Sequence, residues 1–420
     1  MNLIDDSPIQ WLKNRFAETH AERKAVHDLL PDGITQEARA FHQQIPGYEM
    51  TPLKRLSNLS TRLGLGSIWV KDESSRMRLN AFKALGGSFA IYRFICQAAG
   101  RSNLSFADLM SDEIRAPLGD LTFTSATDGN HGKGLAWAAQ KLRFPCIIYV
   151  HKNTSQARIA AIAEFGAEVR VVDGNYDDAV RQCVQDARAN GWQVISDTSW
   201  PGYEDVPKWV MQGYTTLLAE TQEQFAGQGL VKPTHIFLQA GVGAFAAAVI
   251  AYYQKLFGDD APISVVVEPR MAACLYHSME IGDGRPHSVS GELDTIMAGL
   301  ACGDPSPLAW EVLRDYTDYF VTAPDYVAAK GMRMYGVPLK GDPVVISGES
   351  GAVTLGVLPF IMNYEGAADL RERLQLNEDS RILLINTEGN TDPNYFRNVV
   401  WEGVFPVPEA YHWRAKAAYD

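Results

Sequence analysis

CIIYVHKNTSQARIAAIAEFGAEVRVV, residues 146–172, holds a strand, a helix and a second strand in one reading. The β-branched and aromatic run CIIYV (146–150) and its counterpart EVRVV (168–172) flank TSQARIAAIAEFGA, whose Ala and Ile spacing fits one helix ended by Gly166. Two such strands joined through a helix form a βαβ unit, which obliges them to run parallel. Outward from this unit the same alternation recurs. SIWVK (67–71), LTFTS (121–125), HIFLQ (235–239), SVVVE (264–268) and RILLIN (381–386) read as strands, and AAAVIAYYQKLFG follows HIFLQ as a helix. The expected fold is α/β: two open, mostly parallel twisted sheets flanked by helices, their strands buried on both faces.

The chain has 420 residues, 46% hydrophobic and 21% charged, enough for a large core divided between two domains. The expected arrangement is a small α/β domain over about residues 88–210, with a larger domain assembled from 1–87 and 211–420 and the active site in the cleft between them. The net charge of −12, with Lys and Arg scattered, argues against nucleic acid or an anionic membrane as a partner. The start, MNLIDDSPIQWLKNRFAETHAERK, has neither the basic flank nor the apolar core of a secretory signal, and no apolar run is long enough to span a bilayer. A cytoplasmic protein is expected. Five cysteines at irregular spacings lack CxxC or a His pair, so no metal site is expected; a bridge from Cys274 to Cys302 stays open on sequence grounds.

Three stretches at strand ends carry chemistry. Asn80–Ser88 (NAFKALGGS) places Lys83 after a loop and before small residues; burial beside Phe82 would penalise its charged form and free the amine for covalent work. Thr124–Gly134 (TSATDGNHGKG) gathers hydroxyls, an amide and exposed backbone N–H groups at a helix start, suited to a carboxylate or to the ring substituents of a cofactor. Gln239–Ala246 (QAGVGAFA) is again strand, Gly loop and helix, a cradle for a phosphate. This last loop also fits G-x-G-x-x-A, and with Glu268 ending the next strand it allows a dinucleotide-binding alternative.

Taken in order, KDESSRMRLNAFKALGGS, TSATDGNHGKG and QAGVGAFAAA resemble the fold-type II pyridoxal-phosphate enzymes, the tryptophan-synthase-β and threonine-dehydratase superfamily. The resemblance implies pyridoxal 5'-phosphate as cofactor and Lys83 as its Schiff-base lysine beside Phe82. It implies that Asn130 faces the ring hydroxyl, that Gly241, Val242, Gly243, Ala244 and Phe245 hold the phosphate, and that Thr387 meets the pyridine nitrogen, with Glu349 and Ser350 at the ring edge. Ser125, Thr127, Asp128, Gly129 and His131 would bind a small amino-acid substrate. A homodimer is the superfamily's common assembly.

Within the superfamily, Thr127-Asp128-Gly129-Asn130-His131 puts a carboxylate where dehydratases have a serine. Together with Asp197-Thr198-Ser199-Trp200, Gly202-Tyr203, Met211-Gln212-Gly213-Tyr214 and Ile385–Asp392 (INTEGNTD), this resembles the diaminopropionate ammonia-lyases over nearly the whole chain. Ammonia leaves as an amine only from its protonated form, so acids near the leaving group fit a diamino substrate better than a hydroxy one. Asp128 and Asp197 are the expected catalytic partners of Lys83, and by resemblance Asp128 would take the Cα proton of a D-isomer from the face opposite Lys83. The implied reaction is elimination of ammonia from 2,3-diaminopropionate, D or L, through aminoacrylate to pyruvate and two ammonia molecules. The alternatives are a serine or threonine dehydratase, a nicotinamide-dependent oxidoreductase and a silent amino-acid-binding protein. Trp200 and Tyr203 are expected either to close the pocket or to lie in the core.

Overall fold

The computed structural model describes residues 7–17, 24–127 and 129–412. Eleven strands among them form two sheets: β1 (Gln10–Lys13), β2 (Leu53–Arg55), β3 (Ser67–Asp72), β4 (Phe123–Ala126), β5 (Cys146–His151), β6 (Glu168–Val172), β7 (Gln193–Val194), β8 (His235–Gln239), β9 (Ile263–Pro269), β10 (Tyr319–Ala323) and β11 (Arg381–Asn386). The larger sheet has the order β1-β10-β9-β8-β11-β3-β2 and the smaller the order β6-β5-β4-β7. The smaller sheet is parallel throughout, as is the centre of the larger one, where β10, β9, β8, β11 and β3 run together. Only the edge strands β1 and β2 pair antiparallel.

The long β-branched runs became the central strands because β3, β8, β9 and β11 are buried along nearly their whole length. β10 is as buried as they are. It escapes a reading by sequence because five residues between DYTD and PD carry neither a long apolar run nor a period. The edge strands β1 and β2 are three or four residues long and half exposed, and β7 spans two residues, so side-chain pattern says little about any of them.

One continuous core runs from Leu238 and Val266 of the larger sheet to Phe123 and Ile148 of the smaller. Helices Lys83–Ala98 and Asp205–Gly227 pack on each other, and the first also packs on helix Asn130–Lys141. Positions 88 and 210 therefore fall inside helices rather than in linkers.

This topology positions the site. The chain leaves the carboxyl ends of β3, β4, β8 and β11 into the segments holding Lys83, Asn130, Gly241 and Thr387. Carboxyl ends of parallel strands are where open α/β sheets bind their ligands. The segment before Lys83 is stitched to the one after β11: Phe82 N donates to Thr387 O at 3.2 Å, and Gly389 N to Asn80 O at 2.8 Å.

Candidate active site

Lys83 opens helix Lys83–Ala98 on an aromatic floor, its Nζ 5.5 Å from the Phe82 ring and 5.9 Å from that of Tyr214. Phe82 lies between Tyr214 and Phe245, each centroid 4.7 Å away. The lysine donates to Asp197 Oδ2 at 2.5 Å. Burial pulls the amine down, as the sequence suggests, but the charge of Asp197, with Tyr214 and the hydrogen bond adding to it, prevails and holds Lys83 well above the usual lysine range. The expectation of an amine deprotonated by burial is thus corrected, because the aspartate that follows β7 supplies a counter-charge. Asp197 mirrors this: burial raises it, yet the charge and hydrogen bond of Lys83 hold it below the usual carboxylate range.

Asp197 is itself braced. Tyr203 stacks on Trp200 with centroids 4.0 Å apart. The Tyr203 hydroxyl donates to Val194 O at 2.8 Å and accepts from Ser196 N at 3.0 Å, pinning the segment next to Asp197. The aromatic pair supports the site from behind.

The loop after β4 has its own frame. Thr127 Oγ1 accepts from Gly129 N at 3.3 Å and Gly132 N at 3.4 Å, closing the turn into helix Asn130–Lys141. His131 is buried with Nε2 2.9 Å from Ile195 O, which assigns its hydrogen to Nε2 and leaves Nδ1 facing Asp197 Oδ2 at 3.9 Å. Ser125 is fully buried, and its Oγ has no hydrogen-bond partner among the described residues. Asp128 lies outside the described residues. Asn130 Nδ2 donates to Glu388 Oε2 at 2.6 Å, across the cleft.

The Gly loop after β8 fits a phosphate. Helix Ala244–Phe257 begins with Gly243 as its N-cap at φ +96°, and no side chain caps it, so its first amides are open to an anion. A Cβ on Gly241 would sit 3.0 Å from Cys302 Sγ and 3.2 Å from Leu300 Cα, which keeps this approach clear of side chains. Thr387 Oγ1 accepts from Gln239 Nε2 at 2.7 Å, leaving the hydroxyl hydrogen to be donated, as a neutral partner for a ring nitrogen requires. These observations fit pyridoxal phosphate at Lys83, Asn130, Gly241–Phe245 and Thr387.

Two sequence alternatives are closed by the geometry. Glu268 is fully buried, and its carboxyl accepts from Leu275 N at 2.8 Å and Tyr276 N at 2.7 Å, so it caps helix Cys274–Ile281 and does not reach for a ribose. No disulfide joins Cys274 to Cys302.

Glu388 is the residue that sequence reasoning passes over. It lies in the INTEGNTD run, buried, with Oε1 accepting from Ser350 N at 3.0 Å. A carboxylate between Thr387 and Gly389 at a strand end was the available signal. Glu388 and Glu349 line a cleft with Asn130, Lys133, Arg158 and Gly299. Burial first, and then the charge of Glu388, push the Glu349 carboxyl up to about 8.

A lysine between aromatic rings, an uncapped helix start and a polar loop, all at carboxyl ends of parallel strands, define a pyridoxal-phosphate-dependent enzyme. Residues 45–388 match the family model of that description, and the chain belongs to this family. Among its relatives, the diaminopropionate ammonia-lyase of Salmonella typhimurium is 47% identical over 382 residues, covering 90% of this chain and 95% of that protein. The crystal structure of holo diaminopropionate ammonia lyase from Escherichia coli aligns with TM-score 0.87 at 45% identity, covering 94% of this chain and 97% of that one. The same Escherichia coli enzyme in complex with an aminoacrylate-PLP azomethine reaction intermediate aligns with TM-score 0.85 at 44% identity, covering 94% and 98%. No helix of the described residues is long and apolar enough to cross a membrane.

Proposed function

We propose that this chain eliminates ammonia from 2,3-diaminopropionate, as either the D- or the L-isomer, giving pyruvate and two ammonia molecules. The observation that carries the reading is the pairing of Lys83 Nζ with Asp197 Oδ2 at 2.5 Å. It places a proton donor and a proton acceptor together beside the loop that would hold the substrate. Bound pyridoxal phosphate supplies the electron sink for the charge left when the Cα proton departs.

The chain's own residues do the rest. Lys83 holds the cofactor and serves as base on its own face. Asp197 takes and returns the lysine's proton. Asp128 serves the opposite face for the D-isomer. The amides of Gly241–Phe245 hold the phosphate, Thr387 donates to the ring nitrogen, and Asn130 meets the ring hydroxyl from a position fixed by Glu388. Thr127 and the amides from Gly129 to His131 bind the substrate carboxylate, while His131 confines Asp197. Ser125, sealed inside the small sheet, acts as support.

The larger sheet with residues 1–87 and 211–420 serves as the cofactor-binding half and 88–210 as the substrate-closing half. We place the enzyme in the cytoplasm as a homodimer, on the superfamily's habit; sedimentation at micromolar concentration checks the assembly.

The purified protein is expected to be yellow, with a visible band that borohydride abolishes and that Lys83→Ala lacks. Pyruvate formation from both isomers of diaminopropionate should exceed that from serine, and Asp128→Asn should impair the D-isomer most. A colourless protein that binds a nicotinamide refutes the reading.

A further inference from the structure

The cleft beside Asn130 is lined by side chains of both signs. Glu349, the first residue of helix Glu349–Asn363, and Glu388 are its acids. Lys133 on helix Asn130–Lys141 and Arg158 on helix Gln156–Ala163 are its bases. Glu388 is fixed by Asn130 Nδ2 at 2.6 Å and Ser350 N at 3.0 Å. Glu349 is 7% exposed, and among the described residues no other side chain hydrogen-bonds to its carboxyl group, although it lines the cavity. A buried acid beside a second acid is costly when charged, and a cation between them removes both the burial cost and the repulsion.

We propose that Glu349 and Glu388 form the specificity subsite for the second ammonium group of a diamino acid, with Lys133 and Arg158 drawing in its carboxylate. This rests on the lyase reading above and deepens it. A small zwitterion with one additional ammonium matches a lining of both signs. A hydroxy amino acid offers the glutamates a neutral hydroxyl instead of a second cation. The substrate is thereby selected before its α-amine reaches Lys83, and the selection is made by residues that Lys83 and Asp197 do not touch. The free hydrogen-bonding capacity of Glu349 belongs to the ligand in this arrangement, while Glu388 also fixes Asn130.

The test uses the holoenzyme and its Glu349→Gln and Glu388→Gln variants. The visible band of each variant shows first whether the cofactor is held. The ratio of kcat/KM for diaminopropionate to that for serine is expected to fall at least tenfold in Glu349→Gln, mainly through KM. Calorimetric titration of borohydride-reduced enzyme, which cannot turn over, should show the same tenfold weakening for diaminopropionate relative to serine. An unchanged ratio, or equal losses for both amino acids in Glu349→Gln, overturns the proposal. Glu388→Gln adds any cost of misplacing Asn130, so Glu349→Gln is the deciding variant. A wild-type holoenzyme inactive on diaminopropionate would instead overturn the lyase reading itself, which separates the two failures.

Discussion

Gly134→Ala tests how Lys83 is positioned. Gly134 lies in helix Asn130–Lys141 where this meets the first turn of helix Lys83–Ala98. An alanine Cβ there would stand 2.8 Å from Ala84 N, 3.0 Å from Lys83 C and 3.1 Å from Ala84 Cα, all backbone atoms that no rotamer change can move. Restoring ordinary contact near 3.5 Å requires the helices to part by about 0.7 Å. Overpacking of this kind costs about 1–3 kcal/mol. Replacing a helical glycine returns about 1 kcal/mol of propensity, so the net loss of stability is roughly 0–2 kcal/mol. Activity should suffer far more, because the displaced atoms are the carbonyl carbon of Lys83 and the backbone of the next residue, Ala84; a shift approaching an ångström costs on the order of 100-fold. Gly87→Ala is the control on the same interface, where a Cβ meets Leu135 at 3.5 Å, an ordinary contact. Thermal melts and kcat/KM for pyruvate formation, measured on wild type and both variants, decide the matter. Gly134→Ala retaining activity within twofold of wild type, or both variants losing equally, refutes the reasoning.

Asp197→Asn removes the counter-charge that holds Lys83 protonated, leaving burial to dominate. The pH midpoint for cofactor binding to the apo-protein should move down and turnover should fall about 10²- to 10⁴-fold; a midpoint that does not move argues against control by Asp197. Glu220 is fully buried and accepts from Lys71 Nζ at 2.7 Å, Arg76 Nη1 at 2.8 Å, Arg76 Nη2 at 2.7 Å and the Tyr48 hydroxyl at 2.7 Å. Glu220→Gln should destabilise by about 3–5 kcal/mol in urea melts, since two buried cations lose a partner. Burial raises this acid, but the hydrogen bonds and charges of Arg76 and Lys71 outweigh it and bring it from 4.5 to about 2. The wild type should therefore hold this stability above pH 4.5 and lose it as pH falls toward 2, and the variant should lack that acid limb.

The parallel α/β character was legible in the sequence because strands buried on both faces must be apolar along their length, as IFL in β8 and VVV in β9 are. That the segments holding Lys83, Gly241–Phe245 and Thr387 follow strand ends was legible for a related reason: small residues and a helix start are local in the chain, and a motif records what is local. Edge strands escaped, since three or four half-exposed residues carry no distinctive pattern.

What the sequence by itself determined is thus the fold class and the cofactor. Only the tertiary structure decided the charge on Lys83, because Asp197 stands 114 residues away in the chain and 2.5 Å away in space. It likewise assigned Glu268 to a helix cap and drew Glu388 to Asn130 across 258 residues. Charge and hydrogen bonding act over a few ångströms between side chains that the sheets bring together, and no spacing along the chain encodes those distances.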